Sequence, residues 1–400
     1  SNNTAVGREA LEANTTASNN TAVGSCSLTA NTTASGHVAV GSNALYSNTG
    51  PQNTAIGNNA MCSNTTGACN VAVGRNALCS NTDAYWNTAV GYSSMLSNTT
   101  GRCNSALGQG ALYFNTTGSN HIAFGYESLN KNTTASSNTA VGYKSLRNNT
   151  TGEVNTAVGT TSMFTNTTGF GNTALGKNSL YTNNGNNNTA VGHEALELNT
   201  SGGCNVAVGR QALEANTTGA TNVAIGCGAL DSNTTASSNV AVGTGAMCTT
   251  TTGGGNTAIG ECAMKANTEG TLNVVVGHRA MCTNTTGNRN VALGQCTMKL
   301  NTTGSCNNAI GQFALCANTS GCNNQAMGHS AMGSNTTGCT NIGIGQNALS
   351  SNTTASNNTA VGTNALAANT TGIRNTAVGY LAMCSVAGAG NENTAMGYSA

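Results

Sequence analysis

Charge, aromatic side chains and proline are scarce in this 400-residue chain: 6% of residues are Asp, Glu, Lys or Arg, 4% are Phe, Trp or Tyr, and Pro51 is the one proline. Too few Leu, Ile, Val and Phe are present to fill two or three compact globular cores. Disorder is not the alternative, because disordered chains carry the charge and proline that are missing here. The net charge of +1 is spread thinly. No basic stripe with interleaved aromatics exists, which argues against nucleic acid as a partner. No apolar run approaches the length of a membrane-spanning helix, so no membrane span is expected. What remains is a repetitive fold with a thin core in each repeat.

Asn, Thr, Gly and Ala make up most of the chain, and they recur in order. Asn-Thr-Ala-Val-Gly begins at Asn3, Asn20, Asn87, Asn138 and on to Asn375, and with variants such as His37-Val38-Ala39-Val40-Gly41 there are 24 starts. The step is 17 residues nearly everywhere, 16 after His37 and Asn172, and 18 after Asn375. With the motif Asn as position 1, the consensus is Asn-Thr-Ala-Val-Gly-x-x-Ala-Leu-x-x-Asn-Thr-Thr-Gly-x-x. Position 5 is Gly in all 24 copies, position 9 always Leu or Met, position 4 always a larger apolar residue, and position 3 Ala except at Val275 and Gly343. Each repeat samples the same environment, so these constancies are structural information.

A period this short fits one coil of a narrow solenoid, whereas helical repeats need over thirty residues. The expected fold is all-β: a parallel β-solenoid, or β-roll, of about 23 coils over residues 1–400 as one continuous array. Strands are expected at positions 2–5 and near 8–11, with a Gly-rich turn over 12–17. Alternation then places positions 2 and 4 inside, against position 9, and positions 3 and 5 outside. Gly at position 5 suits a corner of positive φ or a close backbone approach. At ~4.8 Å per coil the rod is roughly 110 Å long. An outward Ala stripe of that length predicts lateral packing of chains, most simply a parallel homotrimer, with a single-chain solenoid as the competing arrangement. The chain starts and stops inside a repeat, and is expected to be a piece of a longer fibre polypeptide.

The motif Asn-Thr-Ala-Val-Gly-x-x-Ala-Leu resembles the YadA-like head repeats of trimeric autotransporter adhesins, whose coils carry Ser-Val-Ala-Ile-Gly-x-x-Ser/Ala. It is similar also to repeats of phage and other viral tail-fibre proteins. The resemblance covers essentially the whole chain and implies a left-handed parallel β-roll assembled as a trimer. The coils depart from that pattern in length, through an added Asn-Thr-Thr-Gly turn.

Seventeen copies read Asn-x-Ser/Thr at position 12: Asn14, Asn31, Asn64, Asn98, Asn115, Asn132, Asn149, Asn166, Asn199, Asn216, Asn233, Asn284, Asn301, Asn318, Asn335, Asn352 and Asn369. Each matches an N-glycosylation acceptor on a surface turn. The competing reading is an Asn ladder, amide on amide along the stack. Asn48, Asn81, Asn183 and Asn267 keep the Asn without the acceptor hydroxyl, as the ladder alone requires.

The 16 cysteines fall on variable positions. Cys62 and Cys79 share position 10 of adjacent coils, and Cys322 and Cys339 share position 16, within disulfide range if the coils stack. A recurring offset of 24 residues, Cys79/Cys103 and Cys282/Cys306, marks a second candidate bridge. Disulfides imply an oxidising setting, on a cell or virion surface. No paired CxxC supports zinc, no Gly-Lys-Ser/Thr a phosphate loop, and two aspartates (Asp83, Asp231) leave no recurrent carboxylate dyad. No cofactor and no catalytic site are expected. The function expected is an extracellular structural or adhesive fibre whose partners are itself, laterally and end to end, with covalent glycans or a surface receptor. The alternative is an ice- or carbohydrate-binding solenoid.

Overall fold

The computed structural model describes residues 2–385 and 390–400. The packing divides into two units, residues 1–201 and 202–400. The first carries twelve three-residue strands, from Thr4–Val6 to Thr189–Val191; the second carries twelve more, from Val206–Val208 to Thr394–Met396. Within each unit successive strands pair in parallel and in register, Thr4 with Thr21 and Val6 with Val23, for example, or Val223 with Val240 and Ile225 with Val242. There are no helices among the described residues. This is a β-solenoid repeat protein with the 17-residue spacing read from the sequence.

Inter-coil hydrogen bonds run around the whole coil. Position 2 donates to the next position 1 (Thr88 N–H to Asn104 O, 2.8 Å), position 9 to the next position 8 (Leu146 to Ser162, 2.9 Å), and position 13 to the next position 13 (Thr99 to Thr116, 2.9 Å).

Two expectations are overturned. The first is the facing of the strand. Ala at position 3 is buried and faces the interior, while positions 2 and 4 point outward: Leu107 is 49% exposed and Ile259 40%. A period-2 pattern fixes which residues share a face, not which face is inside, and a one-residue choice inverts everything. The interior is too narrow for a second large column. It holds one Leu or Met per coil at position 9, two small residues at 3 and 8, and two Asn at 1 and 12. Gly343 marks the contact: a methyl there would lie 2.8 Å from Met332 Cγ, so position 3 packs directly against position 9. The invariant smallness of position 3 reflects this interior limit, not a neighbouring chain.

The second is the strand near positions 8–11, which does not form. Positions 7 and 9 both lie in the left-handed region, as at Lys144 (φ 53°) and Leu146 (φ 50°), so the chain turns at alternate residues instead of extending. A left-handed conformation is an outlier for β-branched residues. Position 9 accordingly admits Leu and Met but no Val or Ile, whereas at the outward positions 7 and 17 Thr161 (φ 53°) and Val154 (φ 57°) bear that strain.

Candidate functional site: the Asn ladders, the outward strand face and the thiol pairs

Both Asn positions are interior. Position 12 lies at 0% exposure in sixteen of the seventeen acceptor-pattern copies; Asn14, in the first coil, is half-buried. Its amide nitrogen donates twice, to the position-12 oxygen of the preceding coil and to the carbonyl of position 15 in its own. Asn318 shows both, to Asn301 Oδ1 (2.8 Å) and to Gly321 O (3.0 Å). Position 1 forms a second ladder: Asn324 N–H donates to Asn307 Oδ1 (3.0 Å), and Asn324 Nδ2 to Gly338 O (2.8 Å). The two Asn columns thus converge on the carbonyl of position 15, which is Gly or Ala in the 17-residue coils because a larger residue would enter the ladder; Gly50 and Gly185 take its place in the two 16-residue coils. The turn expected to present Asn to a glycosylating enzyme instead turns it inward. In the folded chain these nitrogens are spent on the stack, and Thr at position 13 continues it, Thr302 Oγ1 donating to Thr319 O (3.1 Å).

The ladder breaks at Thr250, which occupies position 12 and is fully buried. Asn233 Oδ1 is buried there without a partner, and Asn267 Nδ2, which keeps its bond to Gly270 O (3.1 Å), finds in the preceding coil only Thr250 Oγ1 at 3.5 Å. Thr250→Asn should restore a donor to Asn233 and a full acceptor to Asn267, stabilising the second unit by about 1–2 kcal/mol. Chemical denaturation of the two proteins checks this; an unchanged midpoint would count against the ladder as a source of stability.

His37 and His121 stand in position 1 and are 1% exposed. His121 copies the Asn pattern with two nitrogens: Nε2–H donates to Ala135 O (2.7 Å) and Nδ1 accepts from Asn138 N–H (3.2 Å). Asn53 N–H likewise donates to His37 Nδ1 (3.2 Å). Burial drives both imidazoles down to about 4, their backbone hydrogen bonds opposing only in part.

The outward strand face carries the two columns at positions 2 and 4. Neither column contains a charged residue in any coil. Position 4 runs Val158, Leu175, Val191 in the first unit and Ile225, Val242, Ile259, Val276 in the second. Position 2 is mostly Thr or Val, with occasional Ile, Ser, Asn and Gln. Each unit therefore shows an uncharged, in-register ribbon of sheet, one column aliphatic and the other a mixture of Thr and Val. Natural sheets usually interrupt such surfaces with charge, and soluble chains rarely leave them this extensive without a contact role.

Equal positions in adjacent coils stack, and this brings together both same-position cysteine pairs. The sulfurs lie 2.7 Å apart in Cys62–Cys79 and 3.0 Å apart in Cys322–Cys339. Among the described residues no sulfur–sulfur contact joins Cys79 to Cys103 or Cys282 to Cys306. The hydrogen bond from Cys79 holds the Cys62 thiol down at about 6, against burial, and pushes Cys79 up; the bond to Cys339 raises Cys322. Reduced protein should therefore alkylate at Cys62 faster than at Cys79, read by residue-resolved mass spectrometry; faster labelling of Cys79 would place the shared proton on Cys62.

Aromatic side chains on the variable positions also stack, as in Tyr126–Tyr143 (centroids 5.4 Å) and Phe164–Tyr181 (5.3 Å). A shallow depression of about 290 Å³ lies where Gly110 leaves position 7 empty, walled by Tyr92, Tyr113 and Phe114. Its one carboxylate, Glu127, is held by Arg147 at 2.7 Å. No known family model and no curated protein matches this chain.

Proposed function

We propose that this chain is a non-catalytic structural element of an extracellular fibre, with the outward strand face as the surface on which identical chains dock laterally. One observation carries the reading: two uncharged columns at positions 2 and 4, half-exposed and in register through each unit. A repeat array spends its conserved residues on stacking, and here the only conserved apolar residue outside that stack is position 4. Its constancy needs a second surface to explain it. The resemblance to trimeric adhesin heads and tail-fibre repeats favours three chains around this face, and it favours adhesion to a surface receptor at a cell or virion surface. The contact is a sheet-face contact and replaces the Ala-stripe packing expected from the sequence.

Sedimentation equilibrium tests the docking. The 39.6 kDa chain should sediment as a trimer, and Ile259→Glu with Val276→Glu, both outward, should return it to a monomer with unchanged far-ultraviolet dichroism. A monomeric wild type at concentrations of tens of micromolar would overturn the docking surface. The ice-binding alternative gains one observation, the outward Thr run Thr139, Thr156, Thr173 and Thr189 beside the aliphatic column. In the second unit Val206, Val223, Asn308 and Gln325 interrupt that Thr column, which favours docking. Thermal hysteresis in the purified protein would reverse the preference.

A further inference from the structure

In the second unit, five cysteines alternate between two neighbouring columns over five successive coils: Cys248 at position 10, Cys262 at 7, Cys282 at 10, Cys296 at 7 and Cys316 at 10. All five are half-buried. Their spacing is 14, 20, 14 and 20 residues, and the 20-residue step has a structural meaning set by the coil. It joins position 7 of one coil to position 10 of the next.

Three contacts elsewhere show what that diagonal does. Arg147 Nε meets Glu127 Oε2 at 2.7 Å, 20 residues apart at positions 10 and 7. Asn130 Nδ2 donates to Gly110 O at 2.8 Å on the same diagonal, and a Cβ placed on Gly110 would lie 3.4 Å from that nitrogen. Thr29 Oγ1 donates to Glu9 O at 3.2 Å. The threonine is the informative case, since a cysteine that adopts its χ1 places Sγ where Oγ1 stands; the Sγ atoms of Cys248 and Cys282 rest instead 3.8 and 3.7 Å from the carbonyls of Lys265 and Lys299 in the following coil, one χ1 rotation away. A γ atom at position 10 therefore reaches the backbone of position 7 in the preceding coil without help from a long side chain. Cys262 and Cys282 also line one shallow depression together, with Lys265, Arg279 and Lys299 around them.

We propose that Cys262–Cys282 and Cys296–Cys316 are diagonal inter-coil disulfide sites, a second bridging geometry distinct from the same-position pairs. The oxidant is a small-molecule disulfide of the glutathione class. The thiolate of one cysteine attacks its S–S bond and releases one thiol; the second cysteine displaces the other. Two protein thiols become one disulfide, and one small disulfide becomes two thiols, so protons and electrons balance. The diagonal also assigns a control. Cys248 stands at the diagonal position from Gly228, which offers no sulfur, and stays a thiol.

Disulfide mapping of the full chain after incubation with oxidised glutathione tests this. Cleavage after Glu261, Lys265, Arg279, Arg289 and Lys299 puts the four cysteines on four separate peptides and splits Cys248 from Cys262. The expected result is two crosslinked peptide pairs, 262 with 282 and 296 with 316, and alkylation retained at Cys248. In Cys262→Ser, Cys282 should become alkylatable while the 296–316 link persists. Full alkylation of all four cysteines, or links 248–262 or 282–296, would overturn the assignment. Loss of the 296–316 link in Cys262→Ser would overturn it too, because the two sites would then not be independent.

Discussion

Gly91→Ala should cost the first unit about 4 kcal/mol or more, by adding both backbone strain and steric overlap to an otherwise regular stack. Gly91 sits at position 5 with φ 133°, a conformation that L side chains rarely adopt. A Cβ there would lie 2.5 Å from Gly108 O and 2.7 Å from Gly108 C. Neither neighbour can yield, because both are backbone atoms held at the coil spacing by ladder bonds on either side, Gly91 N–H to Val73 O and Gly108 N–H to Val90 O, each 2.8 Å. In a stacked array stability is a sum of coil and interface contributions, so damage at one interface lowers the cooperativity of the unit. Amide exchange should rise in the coils around Gly91 and Gly108, and the melting midpoint should fall by several degrees. Tyr92→Ala, one residue on and half-exposed, is the control and should change stability by no more than about 0.5 kcal/mol. Equal melting of the two variants would contradict the close stacking at position 5.

Acid should destabilise the first unit between pH 6.5 and 4, and replacing two residues should remove that sensitivity. His37 and His121 have folded values of about 4 against an ordinary 6.5. Between these values the unfolded chain takes up protons that the folded chain refuses, so stability falls as pH falls. The loss reaches about 3 kcal/mol per histidine by pH 4. Protonation would set a second N–H at Nδ1 against Asn138 N–H at His121 and Asn53 N–H at His37. His37→Asn with His121→Asn puts the consensus residue at both sites and keeps the ladder. The difference in unfolding free energy between wild type and double variant should therefore be small at pH 7.5 and grow to several kcal/mol near pH 4. Carboxylates titrate in both proteins and cancel in this difference. A constant difference across the range would mean that the two imidazoles are hydrated.

The period, the coil and the role of Gly at position 5 were legible in the sequence, because 24 copies repeat one environment. The facing of the strand was not. The Ala at position 3 and the Val-class residue at position 4 alternate whichever side is inside, and the larger residue was assigned to the core by ordinary hydrophobic logic. The signal that decides it is position 9: one Leu or Met per coil fills the interior, so whatever faces it from the strand must be small, and of positions 3 and 4 only position 3 is. The same residue type held the clue against a second strand, since a buried column that admits Met298 and Leu315 but no Val or Ile points to left-handed backbone. Asn at position 12 invited a surface reading through its Thr-Thr sequel. Asn48, Asn81, Asn183 and Asn267, which lack the hydroxyl, already pointed to the ladder found inside. The 20-residue diagonal was invisible in sequence, because which columns neighbour each other depends on the offset between stacked coils.

Experimental density for the coils from Asn104 to Asn155 would show which face of the strand lies inside. The Phe124 ring and the Leu107 side chain should stand on the outside of the coil, with the Ala123 methyl inside beside the Leu112 and Leu129 column. A Phe124 ring packed within the coil, or Asn115 and Asn132 amides turned to solvent, would contradict it.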